Sequence, residues 1–211
     1  MSKFGLETRR RVAAVGDRRE QDDRSGTLTS KQIYEAKFPA GITSPNWKFT
    51  WSSRALLKVK LFAWLLVRNR LSTMKNLLKK KIVQSASCVI CNSGDETANH
   101  LCFTCPFVVS FWTNIGVQPS IQDLQFFYRL SHTQLLPAKH CHVFYLLCFW
   151  VLWNHRHDVV FRGQQPSVAA CLQRGISEAG FWGQTLAVQN RSVIDDWKHI
   201  FSSCLQTLNP L

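Results

Sequence analysis

Four cysteines and a histidine fall within eighteen residues: Cys88-Val-Ile-Cys91-Asn-Ser-Gly-Asp-Glu-Thr-Ala-Asn-His100-Leu-Cys102-Phe-Thr-Cys105. Two residues separate Cys88 from Cys91, the spacing at which a tight turn points two thiolates at one metal ion. Asn92-Ser93-Gly94 supplies flexible turn residues directly afterwards. His100 follows after eight further residues and Cys105 after four more. The pattern C-x2-C-x8-H-x4-C offers three sulfurs and one imidazole, a tetrahedral set suited to a single zinc ion. Four protein ligands leave no position for water, so such a site is structural rather than catalytic. Two alternatives stay open on spacing alone. Cys102 and Cys105 form a second C-x2-C, which permits an all-cysteine site without His100. Four reduced, buried thiols without a metal would also satisfy the pattern. Cys141, Cys148, Cys171 and Cys204 stand singly in apolar stretches and read as small core residues.

The second chemical feature is charge. The 211 residues carry a formal net charge of +13. Residues 1–81 hold 19 Lys/Arg against 6 Asp/Glu, and residues 82–211 hold 7 of each. From Lys48 to Lys81 ten basic residues occur without one acid. Basic groups release counterions from a phosphate backbone, and interleaved aromatics can stack on bases. Lys58, Lys60, Arg68, Arg70, Lys75, Lys79, Lys80 and Lys81 are therefore the candidate nucleic-acid contacts, for RNA or DNA without sequence preference. A solubilising helical face is the competing explanation, with Phe62 and Trp64 as core rather than stacking platforms.

The elements that must position these residues read as helices. Residues 1–27 are polar and charged, a disordered basic arm. Thr29 caps a short helix over residues 30–36, which Pro39, Gly41 and Pro45 break. Trp47, Phe49 and Trp51 alternate and lead into a helix over Ala55–Arg68, apolar on most faces and so expected at the centre of a bundle. Thr73 caps a basic helix over Met74–Lys81, with Leu77 and Leu78 facing in and Lys75, Lys79, Lys80 and Lys81 facing out. Pro106 suits the first position of a helix bearing Phe107, Val108, Phe111, Trp112 and Ile115. Residues 121–130 form another. A long buried helix spans Ala138–Arg162, closed by Gly163 and Pro166, and amphipathic helices cover Ser167–Gln189 and Ser192–Leu208. No alternating strand pattern and no repeat stands out. The expected fold is all-α, a helical bundle with an inserted zinc-knuckle loop, divided into the arm (1–27), a zinc-binding domain (28–117) and a C-terminal helical region (118–211).

The chain resembles the zinc-binding domain that follows the polymerase in plant non-LTR retrotransposon reverse transcriptases. The resemblance rests on Trp51-Ser52-Ser53, Lys58-Val59-Lys60-Leu61-Phe62-Ala63-Trp64-Leu65-Leu66, Arg70-Leu71-Ser72-Thr73, Asn76-Leu77-Leu78 and Lys81-Ile82. Cys88-Val89-Ile90-Cys91, Glu96-Thr97, His100-Leu101, Cys105-Pro106-Phe107 and Trp112 continue it over about residues 30–115. Phe149-Trp150-Val151-Leu152-Trp153, Arg156 and Phe161 are similar to the helix that trails this domain, with His157 where asparagine is usual. The family commonly has a large apolar residue at the position of Cys102. The resemblance therefore implies Cys88, Cys91, His100 and Cys105 as the ligands of one structural zinc. Relatives often carry an acid near Lys75-Asn76, which would cap the basic helix better.

Several function classes are disfavoured. The longest uncharged apolar run, Val143–Trp153, has eleven residues, whereas a spanning helix needs about 20. The N-terminal stretch lacks the apolar segment of a secretory signal, and its acids make a poor mitochondrial presequence. An intracellular, reducing compartment is expected, the nucleus before the cytoplasm. A polymerase palm needs paired aspartates on a strand-turn-strand. Asp22-Asp23 lies in the arm and Asp195-Asp196 in a helical stretch, so both read as solvated charge. The expectation is a zinc module without enzymatic activity, whose partners are RNA or DNA and a polymerase domain encoded elsewhere. The alternative is a structural or protein-interaction domain left from a decayed retroelement.

Overall fold

A computed structural model describes residues 45–53, 55–119, 123–130, 140–184 and 191–208. The expected basic arm (1–27) and short helix (30–36) lie outside them. Among the described residues, three helices precede the cysteine segment: α1 (Pro45–Ser52), α2 (Leu57–Val67) and α3 (Met74–Lys79). A π-helical turn (His100–Thr104) leads into α4 (Pro106–Asn114). A 3₁₀ turn (Leu124–Arg129), α5 (Cys141–Arg162), α6 (Val168–Gly183) and α7 (Ser192–Leu208) follow. Extended pairing among the described residues is limited to the antiparallel bridge between Ser87 and Asp95. The expected all-α architecture is what forms. No helix of the described residues is long and apolar enough to cross a membrane.

Local chemistry sets the helix ends. The Thr73 hydroxyl accepts the Asn76 N–H at 3.3 Å and starts α3. Pro106 opens α4, where its missing N–H costs nothing. Gly163, at φ 63°, closes α5 in the left-handed conformation that glycine adopts without strain. The Ser167 hydroxyl accepts the Ala170 N–H at 3.2 Å and starts α6.

Helix α5 forms the centre. Val143 to Phe149 are buried without interruption, and the π turn, α4, the 3₁₀ turn and α7 each contribute a ring to them. Phe103 of the π turn and Trp112 of α4 meet Phe149 edge-on at 5.4 and 6.0 Å, and Phe127 of the 3₁₀ turn meets it at 5.7 Å. Phe144 stacks on Phe201 of α7 at 5.4 Å, with Trp197 at 5.8 Å. Cys141, Cys148 and Cys171 are buried core residues and Cys204 is half-buried, as expected of them. The buried core extends from Ala55 to Phe201 on both sides of residue 117.

Two local expectations are corrected. Helix α2 does not lie at the bundle centre: it buries Val59, Phe62, Ala63 and Leu66 but leaves Leu57 65% and Leu61 46% exposed. Leu78 is 38% exposed rather than inward, because α3 is one short turn-and-a-half that rests on the knuckle instead of on a helix face. Trp47, Phe49 and Trp51, which lead into α2 as expected, themselves belong to α1. The buried Asn46 side chain anchors α1 by donating to Leu124 O and Gln125 O at 3.2 and 2.9 Å and accepting the Tyr128 N–H at 3.0 Å.

Helices α6 and α7 approach closely at glycines. A methyl group at Gly175 would lie 2.9 Å from the Phe201 ring, which is itself stacked and buried. At Gly180 the nearest atom is the flexible Lys198 chain at 3.6 Å. Gly175→Ala is therefore expected to destabilise the fold by about 1–3 kcal/mol through overpacking. Gly180→Ala should stabilise it by about 0.5–1 kcal/mol through helix propensity. Urea denaturation of the two variants checks the opposite signs; equal shifts would remove the close-approach explanation.

Candidate metal centre

The centre is built from two short pieces of chain. In the first, the Cys88 carbonyl accepts the Asn92 N–H at 2.9 Å, and the Cys88 N–H donates to Gly94 O at 2.9 Å. The turn needs left-handed backbone at Asn92 (φ 54°) and Gly94 (φ 106°), residue types that tolerate it. It presents Cys88 and Cys91 on one side. In the second piece the Thr97 hydroxyl accepts the His100 N–H at 3.0 Å. The π turn then closes through Cys105 N–H donating to His100 O at 2.9 Å. That widened turn lets His100 and Cys105 face the same point, while Pro106 directs the chain away into α4.

The four ligand atoms, Sγ of Cys88, Cys91 and Cys105 and a ring nitrogen of His100, all lie within 4.8 Å of one another. Cys91 Sγ lies 3.3 Å from His100 Nε2, which identifies Nε2 as the inward atom. The other ring nitrogen, Nδ1, lies 3.5 Å from the Thr104 hydroxyl, which orients the imidazole from behind. A tetrahedral zinc with sulfur ligands at about 2.3 Å separates those sulfurs by about 3.8 Å. The donor set and its spacing therefore fit that ion. Cys88, Cys105 and His100 are buried and Cys91 is half-buried.

The electrostatics of the sulfurs agree with the fit. A side-chain hydrogen bond links Cys105 and Cys88 and moves the two thiols in opposite directions. That bond, with help from the Cys91 and Ile90 backbone N–H groups against burial, brings Cys88 down to about 4. The same bond and burial push Cys105 up. A cation entering the cluster displaces thiol protons, since a coordinating thiol is deprotonated. Cys102 lies outside this set. It is buried, and burial alone pushes its thiol up. Cys141 Sγ lies 3.6 Å from His142 Nδ1. Burial raises that thiol and lowers that imidazole, so the pair is held neutral rather than as an activated thiolate.

The candidate phosphate contacts divide into two groups. Lys58 pairs with Glu178 at 3.5 Å and stands over the Trp150 ring at 5.3 Å. Lys60 donates to Trp51 O at 3.0 Å, Lys75 pairs with Asp95 at 2.9 Å, and Arg68 lies over the Trp64 ring at 5.8 Å. Arg70, Lys79, Lys80 and Lys81 are exposed. Phe62 is buried and Trp64 half-buried, so these rings serve packing.

The partner of Glu96 is not legible in the sequence. Its carboxylate is buried against Arg156 of α5, with Arg156 Nη2 at 2.7 Å and Nε at 3.1 Å from Oε1. Both residues belong to motifs of the resemblance, but sixty positions separate them and neither shows its partner by spacing.

No curated protein and no solved structure matches the chain. Residues 28–112 match the family described as zinc-binding in reverse transcriptase. The segment carrying the four clustered ligands is thus similar to a reverse-transcriptase zinc-binding domain.

Proposed function

We propose that the chain binds one structural zinc through Cys88, Cys91, His100 and Cys105 and presents the basic surface around α3 to RNA or DNA. The convergence of three sulfurs and one imidazole nitrogen within 4.8 Å carries the metal reading. The family match over residues 28–112 supports zinc as the ion. All four tetrahedral positions are taken by protein, so the ion's role is to hold the knuckle to the π turn, and no reaction is assigned to it. The resemblance supports an origin in a plant non-LTR retrotransposon reverse transcriptase, with a polymerase domain encoded elsewhere as a further partner.

For nucleic acid, the supporting observation is the exposure of Lys79, Lys80 and Lys81 at the C-terminal end of α3 and of Arg70 in the turn before it. The internal partners of Lys58, Lys60, Lys75 and Arg68 favour the second reading, a protein-interaction or structural module.

Metal analysis of protein purified without added zinc should give about one equivalent per chain. Cys91→Ala should lose the metal and Cys102→Ala should keep it. Release from Cys102→Ala with retention in His100→Ala would instead establish the all-cysteine set. Chelation should loosen residues 85–105 while most helicity by circular dichroism persists, because α5, α6 and α7 bury their own core. Complete unfolding on chelation is the contrary result.

Affinity for single-stranded RNA or DNA should fall with salt at a log–log slope of about −3, from about four phosphate contacts. Replacing Lys79, Lys80 and Lys81 together by Gln should weaken binding to all sequences and flatten the slope by about two. Zinc content should not change. Absence of binding at low salt would leave the interaction-module reading.

A further inference from the structure

We infer that Arg156 is a positioning residue of the metal centre, acting through Glu96; this rests on the zinc reading above. Glu96 stands at the junction between the two ligand-bearing pieces. On its N-terminal side, its N–H donates to Ala86 O at 2.7 Å and closes the knuckle that holds Cys88 and Cys91. On its other side, Thr97 starts the turn that holds His100 and Cys105, with its carbonyl accepting the Leu101 N–H at 3.0 Å. A backbone rotation at this junction separates one pair of ligands from the other.

The Glu96 side chain blocks that rotation. Arg156 Nη2 and Nε and the Met74 N–H, at 2.7, 3.1 and 2.8 Å, all donate to its Oε1. The Lys75 N–H adds a contact to Glu96 O at 3.2 Å. Glu96 is 0% and Arg156 1% exposed, so neither group finds water as a substitute partner. Arg156 is fixed in turn, its guanidinium lying 5.3 Å from the Trp153 ring. The planar fork that puts two N–H groups on one oxygen is specific to arginine. The π turn reaches α5 separately, through Phe103 on Phe149 at 5.4 Å, and Phe107 stacks on His155 at 5.3 Å. Helix α5 thus grips both halves of the centre, and Arg156 is its hold on the knuckle half. Arg156 lies beyond the segment that matches the family.

Zinc affinity of the full chain, by competition with a chromophoric chelator, and the cobalt(II) spectrum are the measurements. Wild type should bind one metal with a tetrahedral cobalt signature. Arg156→Met should weaken zinc binding about 10–100-fold, the range for outer partners of metal ligands. Arg156→Lys should recover only part of it. Losing one partner of a buried ion pair also destabilises the fold, so the decisive protein is Glu96→Leu/Arg156→Met, which removes both charges. Positioning predicts that this double variant regains melting temperature while affinity stays low and the cobalt band stays altered. Recovery of affinity together with stability, or unchanged affinity in a folded Arg156→Met, overturns the inference. Wild type without stoichiometric metal overturns the zinc reading and this inference with it.

Discussion

A helix with no wet face must be covered on every side, and the first half of α5 is such a helix. Burying a Phe or Leu side chain contributes about 1.5–3 kcal/mol, and Val143 to Phe149 are all buried. The cover comes from α2, the π turn, α4, the 3₁₀ turn, α6 and α7, each packed on α5 or on one another. This one demand explains why elements far apart in sequence converge. Where α5 emerges, its buried polar groups turn the same convergence into specific ties. His155 Nε2 accepts the Ser167 N–H at 3.0 Å, and Asp158 holds Arg162 and Arg174. The apolar half supplies most of the free energy, and the polar half fixes register.

The candidate metal centre is attached to this core rather than separate from it. Its four ligands span eighteen residues, so the chain alone brings them near one another. Nearness is not geometry, however. The knuckle needs left-handed backbone at Asn92 and Gly94, the histidine needs Thr104 behind it, and the two pieces need a fixed angle at Glu96. The buried ion pair there is an expensive device, since desolvating two charges costs several kcal/mol per ion before their attraction offsets it. Packing alone would favour apolar side chains at both positions. Directional bonds to an N–H of α3 and to a guanidinium of α5 do what apolar contact does not: they fix an orientation.

How much of this was legible follows from how local each signal is. The C-x2-C-x8-H-x4-C spacing, the Thr73 cap, Pro106 and Gly163 act over a few residues, and the structure places them as read. The apolar composition of α2 speaks of burial without saying how much partner surface is available. Leu57 and Leu61 remain outside for lack of a covering element among the described residues. Leu78 failed similarly, since a helix of six residues has too few turns to define an inner face. Period-two aromatics over five residues do not distinguish a strand from α1, and the Asn46 cross-links that decide the matter lie 78 or more positions away.

The same locality misleads about charge. The stretch from Lys48 to Lys81 has no acid of its own, yet Glu178 and Asp95 reach Lys58 and Lys75 from other parts of the chain. Counting basic residues in a window therefore overstates the surface available to phosphate. What is left has a geometric reason to be clustered. The chain leaves α3 through Lys81 at φ 58°, with the Ile82 N–H returning to Leu77 O at 3.0 Å, so the last three lysines wrap one helix end. Cations there are favoured by the helix dipole, by about 0.3–1 kcal/mol each at a surface. Neighbouring ammonium groups repel by about as much at water's dielectric. The local energies thus nearly cancel, and stability of α3 alone gives little reason for three consecutive lysines. A polyanion would add attraction to each of them while screening their mutual repulsion, and that is the physical ground for the proposed phosphate surface at this end of α3.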